Sequence, residues 1–390
     1  MPPADSASRD GADVVVIGAG VIGLAVAYEL RRAGVRDVVV FEAQPAPGMG
    51  STARANGGVR AQFATAANIA FSQFTIEQLA GLDERSGGRV GLRRIGYLFL
   101  AGESTAAQLQ SNVSLQQDMG VAVRMLPASA VLELAPFVRI AGLLAASFCP
   151  DDGVIDPHGV AAALCDAGRE LGVRYRTSTR VTALEQTRAG ARVHTDSGAV
   201  DASWVVNAAG PAAAQVASLA GLELEVHPHR HNLVVTEPVP GIMPSTPMCV
   251  DMDTGLHVRG EAGGALIGCP DPARTPTTDT TFDPLYLELL ATRVGNRFPL
   301  LDVASINMRK CWAGLYPETP DHAAIIGTFN SAPWFIQCCG FGGHGIMHSL
   351  AAGRAVSELA RHGTCATFDL SPLRPARFQE GATAAETAVL

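Results

Sequence analysis

The sequence predicts an α/β fold in two parts. One is a discontinuous Rossmann-like domain that binds a dinucleotide; the other is an α+β domain on a mostly antiparallel sheet. Three observations carry this reading. The chain opens on a strand–glycine–helix–strand unit that ends in an acid, segments of the same character return in the middle and near the end, and strand-rich stretches lie between them. Nucleotide-type segments interrupted in this way imply two domains that each draw on several pieces of chain.

In the opening unit, Asp13 to Ile17 is a buried-strand run, followed at once by Gly18-Ala19-Gly20-Val21-Ile22-Gly23. A helical stretch from Leu24 to Arg32 stops at Gly34, and a second strand, Val38 to Phe41, ends in Glu42. Gly18 permits a tight turn, Gly20 lets phosphate oxygens approach the backbone, and Gly23 lets helix and strand pack closely. The helix N-terminus offers unpaired N–H groups and partial positive charge to a pyrophosphate. A carboxylate at Glu42 accepts hydrogen bonds from both ribose hydroxyls and argues against a 2′-phosphate, hence against NADP.

Further along, Asn68 to Leu82 and Glu103 to Met119 have helical spacing, and Gly96 to Leu100 reads as a strand. Asp151 to Pro157 is a turn into a helix, His158 to Leu171. Strands follow at Val173 to Arg176, Thr179 to Leu184 and Ala191 to Thr195; another, Trp204 to Gly210, ends in a tight turn. His227 to Gly268 is mostly strand. Ser331 to Phe341 is a last strand, and Gly342 to Gly345 opens a helix, Ile346 to Arg361. The domain partition expected is 12–90, 150–222 and 308–372 for the nucleotide domain and 91–149 and 223–307 for the second. Residues 1–11 and 373–390 are tails, and the polar chain after Thr364 is expected to be mobile.

A net charge of −8, one lysine (Lys310) and no basic cluster argue against a nucleic-acid partner. The cysteines are scattered, without a CxxC or zinc-ligand spacing, so a reducing, cytoplasmic setting is expected and no metal. His227, His229 and His231 alternate along a strand, but no acidic or thiol partner is evident nearby in sequence. The polar N-terminus lacks the apolar core of a secretory signal, and no apolar run is long enough for a transmembrane segment.

The residues resemble the FAD-dependent amine and amino-acid oxidoreductases, the family of sarcosine oxidase, dimethylglycine dehydrogenase, glycine oxidase and D-amino-acid oxidase. The likeness runs from Asp13 to about Gly363. It rests on Gly18 to Glu42, Ser51-Thr52, Asn56-Gly57-Gly58-Val59-Arg60, Asn207-Ala208-Ala209-Gly210-Pro211, His229 to Pro238, Gly314 to Asp321 and Gly340-Phe341-Gly342-Gly343-His344-Gly345. The resemblance implies FAD at Gly18, Gly20, Val21, Ile22, Gly23, Glu42 and Ala43, and in the first loop at Ser51, Thr52, Asn56, Gly57 and Gly58. In the middle of the chain it implies Val181, Ala208, Ala209 and Gly210, and at the end Gly340, Phe341, Gly342, Gly343, His344, Gly345 and Ile346. The last glycine turn starts a helix, whose dipole stabilises negative charge on a reduced flavin.

The implied reaction is hydride transfer from an amine C–H to flavin N5, followed by imine hydrolysis. The implied partners are a small amine or amino-acid substrate and O2 or another electron acceptor. Arg60 matches a position at or beside the substrate carboxylate; the other reading is a surface ion pair. Arg259 and His257 lie on a strand that lines the substrate cavity in relatives, with a structural ion pair as the alternative for Arg259. Tyr316 matches an active-site tyrosine or is a packed aromatic. His344 sits near the flavin or is a backbone-bonded structural histidine.

Some departures bear on activity. Ser51-Thr52-Ala53-Arg54 lacks the histidine, and Leu315 replaces the cysteine, that hold FAD covalently in some relatives, so noncovalent FAD is expected. Met347 stands where sarcosine oxidases place a carboxylate-binding lysine. Gly264 to Gly268 also lacks the lysine that promotes their reaction with oxygen. Two alternatives stay open: a D-amino-acid or glycine-type oxidase acting on a primary amine, and a low-turnover flavin-binding assembly factor. The second draws on Gly96 to Thr105, which resembles a mitochondrial member of the family proposed to assist complex I assembly.

Overall fold

β1 (Gly11–Ile17), α1 (Val21–Arg32) and β2 (Val38–Phe41) form the expected opening unit in the computed structural model, which describes residues 11–261, 263–383 and 385–388. β1 pairs in parallel with β2 on one side and with Gly198–Asn207 on the other. Parallel pairing continues outward to Arg174–Arg176 beyond β2 and to Ala332–Cys339 beyond Gly198–Asn207. Ile325–Phe329 and a hairpin, Val181–Thr187 with Gly190–Thr195, add antiparallel strands. Strand order reverses at β1, and in open α/β sheets a ligand crevice forms beyond the carboxyl ends at such a point.

The central strands are apolar because both faces are covered: Val38 to Phe41 are all buried, and so are Val14 to Ile17. Helices α1, Ala66–Arg85, Pro157–Glu170 and Gly345–His362 pack on this side of the chain. Gly353 allows the closest crossing, since a Cβ there would stand 2.6 Å from the Ala25 carbonyl oxygen of α1. Asp156 caps Pro157–Glu170 by accepting the His158 N–H at 2.9 Å, with proline in the first turn.

The second sheet has eight strands, and only Tyr97–Ala101 with Met248–Asp251 pair in parallel. Trp312–Glu318, placed by the sequence partition with the nucleotide segments, pairs with His227–Val235 along seven positions and so lies in the second sheet. A short ladder between Gly58–Val59 and Gly153–Val154 ties the first loop to the turn before Pro157. No helix among the described residues is long and apolar enough to cross a membrane.

The expectation of a mobile C-terminal tail fails over residues 371–383 and 385–388. Arg377 is fully buried and forms a two-bonded ion pair with Asp321, at 2.7 and 2.9 Å. Glu386 is buried as well, and donors surround its carboxylate. Composition made this segment look solvated; its two buried charges hold it down through partners that lie far away in sequence. Val389 and Leu390, part of the same expectation, lie outside the described residues, as do Met1 to Asp10 and Ala384.

Candidate active site

A cavity of about 540 Å³ runs from the end of β1 to the second sheet. At the β1 end, Gly18 has φ +103°, and a Cβ there would stand 2.5 Å from the Ala208 carbonyl oxygen, so only glycine makes this turn. Glu42 Oε2 accepts the Ala19 N–H at 2.7 Å, and Thr52 Oγ1 accepts the Val21 N–H at 3.0 Å. These contacts fix the carboxylate and the helix N-terminus beside each other.

Most of the residues expected at the cofactor line this cavity together: Gly18, Gly20, Val21, Ile22, Glu42, Ala43, Ser51, Thr52, Asn56, Gly57 and Gly58. Val181, Ala208, Ala209, Gly210 and the run Gly340, Phe341, Gly342, Gly343, His344, Gly345 and Ile346 line it too. Gly23 does not. It packs on the turn instead, where a Cβ would stand 1.9 Å from the Gly18 oxygen.

At the other end the walls are Arg60, Tyr97, His257, Tyr316, His344 and Met347. Arg60 is 1% exposed; its Nη1 donates to the Gln62 carbonyl, its Nη2 to the Ala388 carbonyl, and its guanidinium lies 3.9 Å from the Phe63 ring centroid. Among the described residues no carboxylate bonds to it, and Glu42 is the only acid in the cavity wall. Burial pulls the Arg60 guanidinium below its ordinary range, against the opposing pull of Tyr97, Glu386, Asp152 and Tyr316. Asp152 sits behind, accepting from Ala61 N–H at 2.7 Å and Gln62 Nε2 at 2.9 Å, and burial pushes its carboxyl up to about 6.

Arg259 is turned away from the cavity. It binds Asn56 Oδ1 at 2.9 Å and the Asn56 carbonyl at 3.0 Å, and pairs with Glu261. It therefore holds the first loop. The His227–His231 strand meets the acid that sequence proximity did not show: Glu318 lies 3.3 Å from His229 and 3.2 Å from His231, with Arg274 bound to both its oxygens. Arg274 fills the place of a cation, and no metal-binding group of His, Cys, Asp and Glu occurs among the described residues. His231 stacks behind Tyr316 with centroids 3.7 Å apart.

Sequence reasoning missed Tyr97. Its hydroxyl stands where a Cβ on Gly58 would come within 1.9 Å, so Gly58 is what admits this side chain to the cavity. Tyr97 belongs to an all-buried strand and reads there as core; its only signal was one polar atom in an apolar run.

A family model described as FAD dependent oxidoreductase matches residues 13–359. The chain belongs to this family of FAD-dependent oxidoreductases. It is 28% identical to FAD-dependent oxidoreductase domain-containing protein 1 of Xenopus laevis, over 96% of this chain and 84% of that protein. It is 27% identical to mitochondrial dimethylglycine dehydrogenase of Rattus norvegicus, over 98% of this chain but 46% of that protein. Among solved structures, L-proline dehydrogenase from P. horikoshii superposes with a TM-score of 0.88 at 28% identity, covering 96% of this chain and 99% of that one. The cavity fits the family's cofactor: the bare glycine turn and helix N-terminus would take a pyrophosphate, Glu42 a ribose, and the second glycine turn heading Gly345–His362 a flavin ring.

In this oxidoreductase the buried histidines His257, His344 and His348 are neutral near pH 7. Burial lowers His257 to about 4 and His348 to about 3, and holds His344 well below 6.5. His348 packs against Phe63 and Phe71, and its Nε2 has no partner among the described residues. A folded-state value below the unfolded one means that the stabilisation is complete above pH 6.5. It is lost as pH falls from 6.5 toward 4 and 3, at about 1.4 kcal/mol per unit and per histidine. The melting temperature should therefore drop between pH 6.5 and 4.5, and drop less in His348→Leu. Parallel curves for the two proteins would show that His348 is not buried in its neutral form.

Proposed function

We propose that this flavoenzyme oxidises the C–N bond of a small secondary or tertiary amino acid, of the sarcosine, dimethylglycine or proline kind. The observation that carries this is Arg60: a buried guanidinium in the cavity wall whose direct partners are two neutral carbonyls and an aromatic face. A buried cation with no anion in direct contact among the described residues is costly, and a substrate carboxylate supplies a contacting charge. The names of the dimethylglycine and L-proline dehydrogenases support the same substrate class.

Bound FAD accepts the hydride; the protein supplies place and electrostatics. Arg60 anchors the carboxylate and so fixes the donor carbon over the ring. Tyr97 and Tyr316 stay protonated, since burial raises the first and pushes the second up to about 12, so their hydroxyls serve as donors to the substrate. At this end of the cavity an ammonium would meet Arg60 and neutral histidines with no acid in the described wall, which favours an amine that enters uncharged. Arg259, through Asn56, holds the first loop in the cavity wall, where it would contact the bound cofactor. FAD is noncovalent in this reading: the cavity-wall thiols Cys338 and Cys339 are buried and pushed upward, hence unreactive. No lysine lines the cavity, which by resemblance favours an electron acceptor other than oxygen. A reducing compartment such as the cytoplasm suits eight unpaired cysteines.

The test is anaerobic mixing of the yellow protein with sarcosine, dimethylglycine, proline, glycine and D-alanine. Bleaching by a secondary or tertiary amino acid is expected, followed by slow peroxide release on admitting air. Bleaching by glycine or D-alanine alone would move the assignment to a primary amine. No bleaching by any of them would remove the amine-oxidation reading.

A further inference from the structure

Arg60 is gripped from behind by a part of the chain that takes no part in the cavity wall. Ala388, whose carbonyl accepts from Arg60 Nη2, is buried but does not line the cavity, whereas Arg60 does. The Gln62 carbonyl takes Nη1. A guanidinium has five N–H donors in one plane, so two carbonyl partners fix that plane and leave the remaining donors for a ligand.

Ala388 is in turn held by Glu386, which is 1% exposed. Glu386 Oε1 accepts the N–H groups of Ala64 at 2.9 Å and Ala388 at 2.8 Å. Its Oε2 accepts from Thr65 Oγ1 and Asn68 Nδ2, both at 2.9 Å. Its own N–H donates to the Asp321 carbonyl at 3.0 Å, and Asp321 is the partner of buried Arg377. One residue thus joins three things: its carboxylate holds the loop after Arg60 and the segment whose carbonyl orients the guanidinium, and its N–H holds the loop after Tyr316.

We propose that residues 385–388 are a strap that aims Arg60 into the substrate compartment, with Glu386 as its anchor and positioning residue, so that selectivity for carboxylate-bearing amines is set in part from outside the cavity. This rests on the reading of Arg60 as the carboxylate site.

The experiment titrates the FAD-loaded protein with acetate and propionate and follows the shift of the visible flavin spectrum. The proteins compared are the unaltered chain, Glu386→Gln, Thr65→Val and Arg60→Met. Flavin content and melting temperature are measured on each. Glu386→Gln removes a negative charge near Arg60, and charge alone would tighten carboxylate binding. Loss of the anchor weakens it, by about tenfold, the size of one hydrogen bond to a charged group. The sign therefore decides. Thr65→Val removes one anchor bond without changing charge and should weaken binding by a smaller factor; it also keeps the test open if Glu386→Gln does not fold. In turnover, KM for the amino acid should rise more than kcat falls, with the decarboxylated amine as the internal reference.

Weaker binding in both strap variants, with binding abolished in Arg60→Met, supports the strap. Unchanged or tighter binding in the strap variants, with binding abolished in Arg60→Met, overturns the strap and leaves the Arg60 site standing. Unchanged binding in Arg60→Met overturns both.

Discussion

Gly23→Ala should give a protein that no longer retains FAD. The added Cβ would stand 1.9 Å from the Gly18 carbonyl oxygen, 3.0 Å from its carbon and 3.4 Å from the Ala208 Cβ. Two of these contacts are backbone, so no rotamer change relieves them. The N-terminus of α1 must move off the turn, breaking the Val21 N–H bond to Thr52 Oγ1 and shifting the helix start away from the position a pyrophosphate would take. α1 has little freedom to move, because Gly353 of the last helix already touches the Ala25 carbonyl. Overpacking of this kind costs on the order of 3 kcal/mol. Gly11→Ala in β1 is the matched control: its Cβ would meet only the Asp201 carbonyl oxygen, at an ordinary 3.6 Å, and Gly11 does not line the cavity. The flavin-to-protein absorbance ratio of the purified variants reads the difference. Equal flavin content in both would mean that the close packing at Gly23 does not position the cofactor.

Arg60→Met should raise KM for a carboxylate-bearing amine by on the order of a hundredfold, the loss of two hydrogen bonds between charged groups. Methionine keeps the apolar stem against Phe63 and Phe99, where the guanidinium now lies 3.9 and 5.5 Å from the ring centroids. The same change should leave the KM for the decarboxylated amine within a few-fold, because that molecule has no group for the arginine. Equal increases for both would remove Arg60 from the substrate site and return it to a structural role.

The nucleotide half of the fold was legible because its signals are local. Turn glycines, the helix start and Glu42 follow one another within one βαβ unit, and their roles depend on neighbours in sequence. The final glycine turn at Gly340 to Gly345 is legible for the same reason. The substrate half was not. Tyr97 reads as core because its strand is apolar throughout, and only the bare backbone of Gly58, far off in sequence, makes room for its hydroxyl. Arg259 was expected at the cavity because the corresponding strand lines it in relatives, yet Asn56 and Glu261 take its donors. The helix Tyr286–Arg297 went unread although Tyr286, Leu290 and Val294 recur at helical spacing and are buried. The tail shows the widest gap. Its composition is that of a solvated end, and the donors that bury Glu386 and the acid that buries Arg377 lie far from them along the chain.

The most direct test of amine oxidation at an arginine-anchored carboxylate is an anaerobic comparison of proline with pyrrolidine, and of sarcosine with dimethylamine, each mixed with the oxidised flavoprotein. The amino acid of at least one pair should bleach the flavin at concentrations where its decarboxylated partner barely does. Equal bleaching by both partners of every pair, or by neither, would contradict the account.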